Sequence, residues 1–561
     1  TFRTADVVGL DTLAHVIQTM ADTLPDDPWH RFFRSPLWLS ALIERGALGQ
    51  KTRAGVFTKR GNDILVLDVA ARDYVPATGK ASDAIKDILK KRNPAEMFAA
   101  LRASDDKQAQ FLWATLRDLF HYCAYHLASV ADNARDVDFA IRWGFGWNAG
   151  PFETWQAAGW QQVAQWIDED IKAGKALSDA PLPAWVLEPG RTGVHAPEGS
   201  FSAAKGANVP RSKLPIYQRQ LFPPRVVGEK TSDPGATLHE DAAVRIWTDT
   251  NEKNGDDVLI LSFKTKMHAV SEPALDGTLR AIRLAEERFK GLVIWHPDEP
   301  FSAGADLASM GPALMAGQFD VIEKVVDKFQ KTTAALKYAL VPTIAAPRGL
   351  ALGGGAEFVM HAARAVAALE SYIGLVEVGV GLIPAGGGCK EFALRASQDA
   401  KGVAYILDFL KNSFQNAAMA NVSKSAIDAQ SIGFLRASDV IVFNANEQLH
   451  VAKSQARAMF DAGYRPALPP RAIPVLGASG IATIESTLVN MRDGGFISPH
   501  DFTIGLAIAE AMCGGYVDAG SMVDEQWLLD IERRHFMALL KTPKTQERIQ
   551  AMLTTGKPLR N

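Results

Sequence analysis

Three consecutive glycines, Gly353-Gly354-Gly355, separate the apolar run Thr343 to Ala346 from the apolar helix start Phe358-Val359-Met360. The full segment reads Gly349-Leu350-Ala351-Leu352-Gly353-Gly354-Gly355-Ala356-Glu357. A strand that turns into a helix over bare backbone has two readings. One is a tight turn that allows close helix packing. The other is ligand capture, because unpaired N–H groups at a helix N-terminus and the helix dipole favour developing negative charge on a bound oxygen. The surrounding pattern is α/β. Val258 to Phe263, Gly291 to Trp295, Thr343 to Ala346 and Val440 to Phe443 are short apolar runs of the buried-strand type, separated by helical stretches such as Leu275 to Phe289 and Val321 to Leu340.

Two further segments flank the glycines in the chain. Pro300-Phe301-Ser302-Ala303-Gly304-Ala305-Asp306-Leu307 follows a strand and opens toward a helix; alone it is a turn with Asp306 as a cap. Glu377-Val378-Gly379-Val380-Gly381-Leu382-Ile383-Pro384-Ala385-Gly386-Gly387-Gly388 sets a carboxylate among valines before a Gly-rich turn. A buried acid there needs partners or a proton.

Taken together and in this order, the three segments resemble the crotonase, or enoyl-CoA hydratase, superfamily over about residues 240 to 440. The resemblance implies that backbone N–H groups at Ala305 and Gly354 form an oxyanion hole for a thioester enolate. It implies a pair of catalytic glutamates at Glu357 and Glu377, with Glu357 activating water for the β-carbon and Glu377 delivering a proton to the α-carbon. It also places CoA-binding backbone carbonyls at Ala303 and Leu307. Relatives that isomerise often keep one acid, so the pair favours hydration over the rival reading of a crotonase-type isomerase or lyase. A rival of another class is a catalytically silent acyl-CoA-binding assembly module.

The first 180 residues read as helical, for instance Ala109 to Val130, with only Ile64 to Val69 suggesting a strand. They also contain an echo: Phe2-Arg3-Thr4-Ala5-Asp6-Val7-Val8-Gly9 aligns with Phe152-Glu153-Thr154-Trp155-Gln156-Ala157-Ala158-Gly159 at Phe, Thr and Gly. With Arg45-Gly46-Ala47-Leu48-Gly49-Gln50-Lys51-Thr52-Arg53-Ala54-Gly55-Val56-Phe57, this resembles the helical C-terminal domain of 3-hydroxyacyl-CoA dehydrogenases. That domain ordinarily follows a dinucleotide-binding domain. This sequence has no G-x-G-x-x-G after a strand, since Gly144-Phe145-Gly146 falls in an expected helix-to-helix turn. The dehydrogenase's catalytic side chains therefore map to none of these residues. The chain opens on Thr1 inside a repeat, and the expectation is a C-terminal portion of a bifunctional protein whose missing N-terminal part binds NAD.

The expected architecture is multidomain. An all-α dehydrogenase C-terminal domain (1–180, two repeats) and a Pro/Gly-rich linker (181–239) precede an α/β crotonase domain built on ββα repeats (240–446) and a helical C-terminal extension (447–561). At 561 residues the chain exceeds what a single core organises. A formal charge of −3 without a long Lys/Arg tract argues against nucleic acid as a partner. Cys123, Cys389 and Cys513 form no zinc or disulfide pattern, which fits a reducing cytoplasm. No apolar run has membrane-span length, and the N-terminus lacks the features of a signal peptide. Expected function is hydration of trans-2-enoyl-CoA in fatty-acid β-oxidation without metal or redox cofactor. NAD belongs to the full-length dehydrogenase, and the partners expected are acyl-CoA and a thiolase subunit or a second copy of the chain.

Overall fold

The computed structural model describes residues 2–230, 235–249 and 257–561, so residues 231–234 of the expected linker and 250–256 of the expected crotonase domain lie outside it. The chain divides into two compact units, Thr1–Ser212 with Arg225–Thr231, and Lys213–Pro224 with Ser232–Asn561. No described helix is long and apolar enough to cross a membrane.

In the first unit the echoed segments fold alike. Helices α1 (Phe2–Val8) and α2 (Leu10–Thr23) meet at Gly9, with φ of 109°, and α5 (Pro151–Ala157) meets α6 (Trp160–Lys172) at Gly159, with φ of 95°. Both glycines hold a left-handed turn that other residues adopt only with strain, which is why Gly recurs at this offset. Between them lie a three-stranded antiparallel meander, β1 (Phe57–Arg60), β2 (Asp63–Asp68) and β3 (Asp73–Pro76), and the helices α3 (Lys107–Val130) and α4 (Ala134–Phe145). Asp106 starts α3 by accepting the amide hydrogens of Gln108 and Ala109. Phe98, Phe120, Trp155 and Trp160 stack in series at the centre of this unit. Residues 181–212 are more ordered than their composition suggests. They form a second small sheet, β4 (His195–Ala196), β5 (Gly199–Ser202) and β6 (Ala207–Val209), whose Phe201 and Val194 pack into the helical core.

The second unit is built on a seven-stranded sheet in the order β15-β13-β11-β10-β9-β8-β7. Its strands are β7 (Gly235–Glu240), β8 (Val244–Asp249), β9 (Leu259–Phe263), β10 (Leu292–Ile294), β11 (Thr343–Ala345), β13 (Arg364–Ala368) and β15 (Val440–Val442). From β9 to β15 all pairs are parallel, while β7 and β8 add an antiparallel hairpin. The inner strands are buried throughout, which explains their unbroken apolar sequences. A separate parallel pair joins β12 (Gly349–Leu352) and β14 (Ser371–Gly374).

The crossover helices are α7 (Glu272–Arg288), α8 (Leu307–Met315), α9 (Phe319–Lys337), α10 (Gly354–His361) and α11 (Gly388–Asp399). Ser271 caps α7 and Asp306 caps α8, the latter accepting the Ser309 N–H. After α12 (Gln448–Asp461) come α13 (Gly477–Asp493), α14 (Pro499–Cys513), α15 (Glu525–Leu540) and α16 (Pro543–Thr555), whose buried faces join the same core as the sheet. The helical N-terminal part, the α/β core and the C-terminal helices expected from the sequence are all present; the meander, the hairpin and the β12–β14 pair were not foreseen beyond the hint at Ile64.

Candidate active site

Three chain segments leave the carboxyl ends of strands and converge. The turn at 300–306 follows β10, the glycines at 353–355 follow β12, and the turn at 376–388 follows β14. In open α/β sheets that end is where ligand crevices form. The cavity between them is about 470 Å³ and its lining includes all six residues singled out in the sequence: Ala303, Ala305, Leu307, Gly354, Glu357 and Glu377.

Crowding around the glycines explains their identity. A Cβ placed on Gly354 would lie 2.6 Å from Phe329 Cζ and 3.3 Å from the Ala305 amide nitrogen. One on Gly353, where φ is 50°, would lie 2.9 Å from Glu377 Oε1. The Ala305 and Gly354 amides are thus neighbours, and neither N–H has a protein partner among the described residues. Two close, unpaired donors, Gly354 at the first turn of α10 and Ala305 in the turn before α8, can hold one oxyanion.

Glu357 sits in the first turn of α10, 3% exposed. Its Oε1 accepts the N–H groups of Gly386 and Gly388, both at 2.8 Å. Burial lifts this carboxyl to about 7, against those two amides and the Lys390 ammonium, which favour the charge. Glu377 opens a short 3-10 turn, Glu377–Val380. The residue is half-buried, but its Oε2 is closed off and has no hydrogen-bond partner among the described residues. Burial, then the charges of Glu357 and Glu532, push Glu377 well above the ordinary carboxylate range. The two acids are therefore set apart, Glu357 ionising first and Glu377 keeping its proton.

Several residues that sequence reading did not single out complete the site. Phe329 on α9 forms one wall and stands edge-on to Phe358 at 5.7 Å, a contact worth about 1 kcal/mol beyond its burial. Phe536 on α15 and Met552 on α16 bring the C-terminal helices to the apolar end of the cavity. Glu532, fully buried on α15, accepts the N–H groups of Gly387, at 3.1 Å, and of Lys390. Burial and the charge of Glu357 raise its pKa to about 8.

Behind this layer Lys390 Nζ donates to His361 Nε2 at 2.9 Å and contacts Glu391 and Glu525. Burial, then Lys390, hold His361 well below its usual range, so it is neutral, with its Nδ1–H free to donate to the Glu357 carbonyl at 2.7 Å. Burial pulls Lys390 down, but Glu391, Glu525 and Glu532 more than offset it and keep it charged. The glycines of 386–388 were visible as a Gly-rich turn; Glu532 stands among charged neighbours in an amphipathic helix and carries no comparable signal.

Residues 257–406 match the enoyl-CoA hydratase/isomerase family, and residues 1–59 match the 3-hydroxyacyl-CoA dehydrogenase C-terminal domain. The chain is 35% identical over 571 residues to the "Probable 3-hydroxyacyl-CoA dehydrogenase" of Bacillus subtilis, an alignment spanning 100% of this chain and 68% of that protein. It is 25% identical over 569 residues to the "Putative fatty acid oxidation complex trifunctional enzyme" of Rickettsia felis, spanning 98% of this chain and 67% of the other. Among solved structures, the enoyl-CoA hydratase from Bacillus halodurans aligns at 16% identity with a TM-score of 0.37, over 55% of this chain and 99% of that one. The chain spans about two thirds of the length of these curated relatives.

Proposed function

We propose, for a chain that belongs to the family of the Bacillus subtilis 3-hydroxyacyl-CoA dehydrogenase and carries an enoyl-CoA hydratase/isomerase domain, that its second unit hydrates trans-2-enoyl-CoA to 3-hydroxyacyl-CoA in fatty-acid β-oxidation. The observation that carries this reading is the pair of acids, Glu357 and Glu377, facing one apolar cavity beside the unpaired Ala305 and Gly354 amides. The thioester carbonyl oxygen accepts those two N–H groups. Ionised Glu357 removes a proton from water as the oxygen bonds to the β-carbon. The electron pair of the alkene moves toward the carbonyl, and the enolate oxygen is held where donors are already aimed, so little reorganisation is needed. Glu377 gives its proton to the α-carbon. A water molecule returns the proton from Glu357 to Glu377 and resets the site.

The backbone carbonyls of Ala303 and Leu307, at the same mouth of the cavity, receive the CoA adenine in this reading. The setting is the cytoplasm, with acyl-CoA as the ligand and a thiolase subunit or a second copy as the assembly partner. NAD serves the dehydrogenase of the longer relatives. Gly144 and Gly146 do not fit its pyrophosphate, because they close the C-terminal end of α4, where carbonyls rather than N–H groups project. No hydride step is assigned to these residues.

Incubation with crotonyl-CoA and with a longer enoyl-CoA, followed by chromatographic identification of products, tests the proposal. A 3-hydroxyacyl-CoA product is expected. A shifted double bond without water addition, or CoA-thioester binding without turnover, overturns it.

A further inference from the structure

We propose that Ser302 is a positioning residue that holds both donors of the oxyanion hole in register, an inference that rests on the reading of Ala305 and Gly354 as that pair. Ser302 is completely buried, and every polar group it owns is used. Its backbone N–H donates to Leu350 C=O at 3.0 Å and its C=O accepts the Leu352 N–H at 2.9 Å, so it pairs with β12 only two residues before the glycines. Its hydroxyl donates to the His268 C=O at 2.8 Å and accepts the Gly304 N–H at 3.1 Å. One residue therefore joins the strand that delivers Gly354, through its backbone, to the turn that carries Ala305, which its hydroxyl holds through Gly304 and His268.

The third anchor is a strained one. Met267 and His268 are left-handed, with φ of 57° and 50°, a conformation rarely adopted by residues other than glycine. In that conformation the Met267 C=O accepts the Ala303 N–H at 3.1 Å, the His268 C=O accepts the Ser302 hydroxyl, and the His268 Nδ1 meets the Pro300 C=O at 2.5 Å. Val270 then clasps both sides of Ala305, donating to Gly304 C=O at 2.8 Å and accepting from Asp306 N–H at 3.2 Å. These bonds fix the peptide planes on either side of Ala305 and leave its own N–H directed to the cavity. There is little slack: a Cβ on Gly355 would lie 2.7 Å from the Ser302 Cβ, so the first turn of α10 rests on this serine. Replacing the hydroxyl by hydrogen strands the Gly304 N–H and the His268 C=O together, and removes one of the three contacts that hold the strained 267–268 turn.

The test compares wild type with Ser302→Ala, using a conjugated dienoyl-CoA whose thioester absorbs further to the red when its carbonyl oxygen is polarised. Wild type is expected to show the red shift. Ser302→Ala is expected to retain wild-type circular dichroism, lose most of the shift, and show kcat down about tenfold with KM within about twofold, because misplaced donors act on the transition state more than on binding. If Ser302→Ala does not fold, Ser302→Cys, which keeps a weak donor and acceptor of similar size, is expected to give an intermediate shift and an intermediate kcat. A full red shift and wild-type kcat in these variants overturns the role of Ser302 while leaving the donor pair standing. Absence of any red shift in wild type overturns the donor pair and the inference built on it.

Discussion

Glu357 and Glu532 divide between them the amide donors at one helix start: Glu357 accepts from Gly386 and Gly388, and Glu532 accepts from Gly387 and Lys390. Two buried carboxylates thus lean on the N-terminus of α11, which favours negative charge, while each disfavours the charge of the other. Groups facing them from neighbouring elements are Lys390, Glu391 and Cys389 on α11, Glu525 on α15, His361 on α10, Lys337 on α9 and Glu377.

For the hydration proposed above, a pH dependence follows from this arrangement. Glu357 must lose its proton, which burial delays to about 7, while Glu377 must keep its own, and burial, Glu357 and Glu532 hold it well above the ordinary range. The expected kcat/KM profile rises through about pH 7, stays level, and falls only in the alkaline range, the two limbs belonging to the coupled set. Glu532→Gln removes one of the charges that keep Glu377 protonated, so the alkaline limb should move toward neutrality. A limb that stays put or moves the other way would refute the coupling.

Replacing either acid by its amide should spare the fold and CoA-thioester binding but stop proton exchange with water or the α-carbon. For Glu357→Gln and Glu377→Gln, kcat is expected to fall about 10²-fold or more, with thermal midpoints no lower than wild type because a buried ionisable group is removed. Steady-state rates on crotonyl-CoA decide it; near-wild-type rates in both variants would sink the mechanism.

That the six residues line one cavity was legible in the order of three segments, two of them marked by glycines. In the proposed mechanism Ala305 and Gly354 act through N–H groups, so around Gly354 the sequence displays only glycines in a strand-to-helix turn, and Ala305 enters through the resemblance of the three segments. Glu377 was visible as an acid among valines, whereas Glu357 was assigned only through the resemblance. The strands from β9 to β11 could be read because burial on both faces requires unbroken apolar runs, and the partly buried edge strand β15 keeps such a run, Val440–Val442. β1, β3 and β7 have exposed faces and mixed patterns, for instance the half-exposed Gly235–Glu240, and give no such run, while β8 is buried but its apolar residues are broken by Arg245 and Thr248. Ser302 and Glu532 were not legible as functional, since a serine in a turn and a glutamate in Ile531-Glu532-Arg533-Arg534 look the same whether or not the fold later buries them.

Stability should carry the signature of Glu532. Its pKa in the folded chain is about 8 against an ordinary 4.5, so between those values the folded chain holds a proton that the unfolded chain has released. The native state then binds more protons, its stability from this group falls as pH rises from about 4.5 to about 8, and it levels off above. Glu532→Gln lacks this slope. Thermal midpoints at about pH 5.5 and about pH 8 should differ less in the variant than in wild type, whatever constant offset the altered amide contacts add. An unchanged difference would mean that Glu532 is ionised in the folded chain.

A final prediction concerns the first unit, where Asp138, His195 and Ser200 form a chain of contacts that resembles a nucleophilic triad in composition. His195 Nε2 lies 2.6 Å from Asp138 Oδ2 and its Nδ1 lies 2.8 Å from Ser200 Oγ. Ser200 is completely buried, and both other side chains are closed to solvent, so no acyl group could reach the hydroxyl. The role is structural. Asp138 also accepts the Phe152 N–H at 2.8 Å and the Glu153 N–H at 3.1 Å, and so caps α5 from α4 while fixing β4 through His195. Asp138→Ala would leave three buried donors without their acceptor, at an expected cost of about 3–5 kcal/mol. Asp138→Asn should cost less, since one carbonyl oxygen still accepts while the amide group opposes a donor. Hydrogen exchange at the Phe152 and Glu153 amides, read beside urea unfolding of both variants, measures this directly. Wild-type protection at those two amides in Asp138→Ala, with stability within about 1 kcal/mol of wild type, would show that the contacts are incidental to the fold.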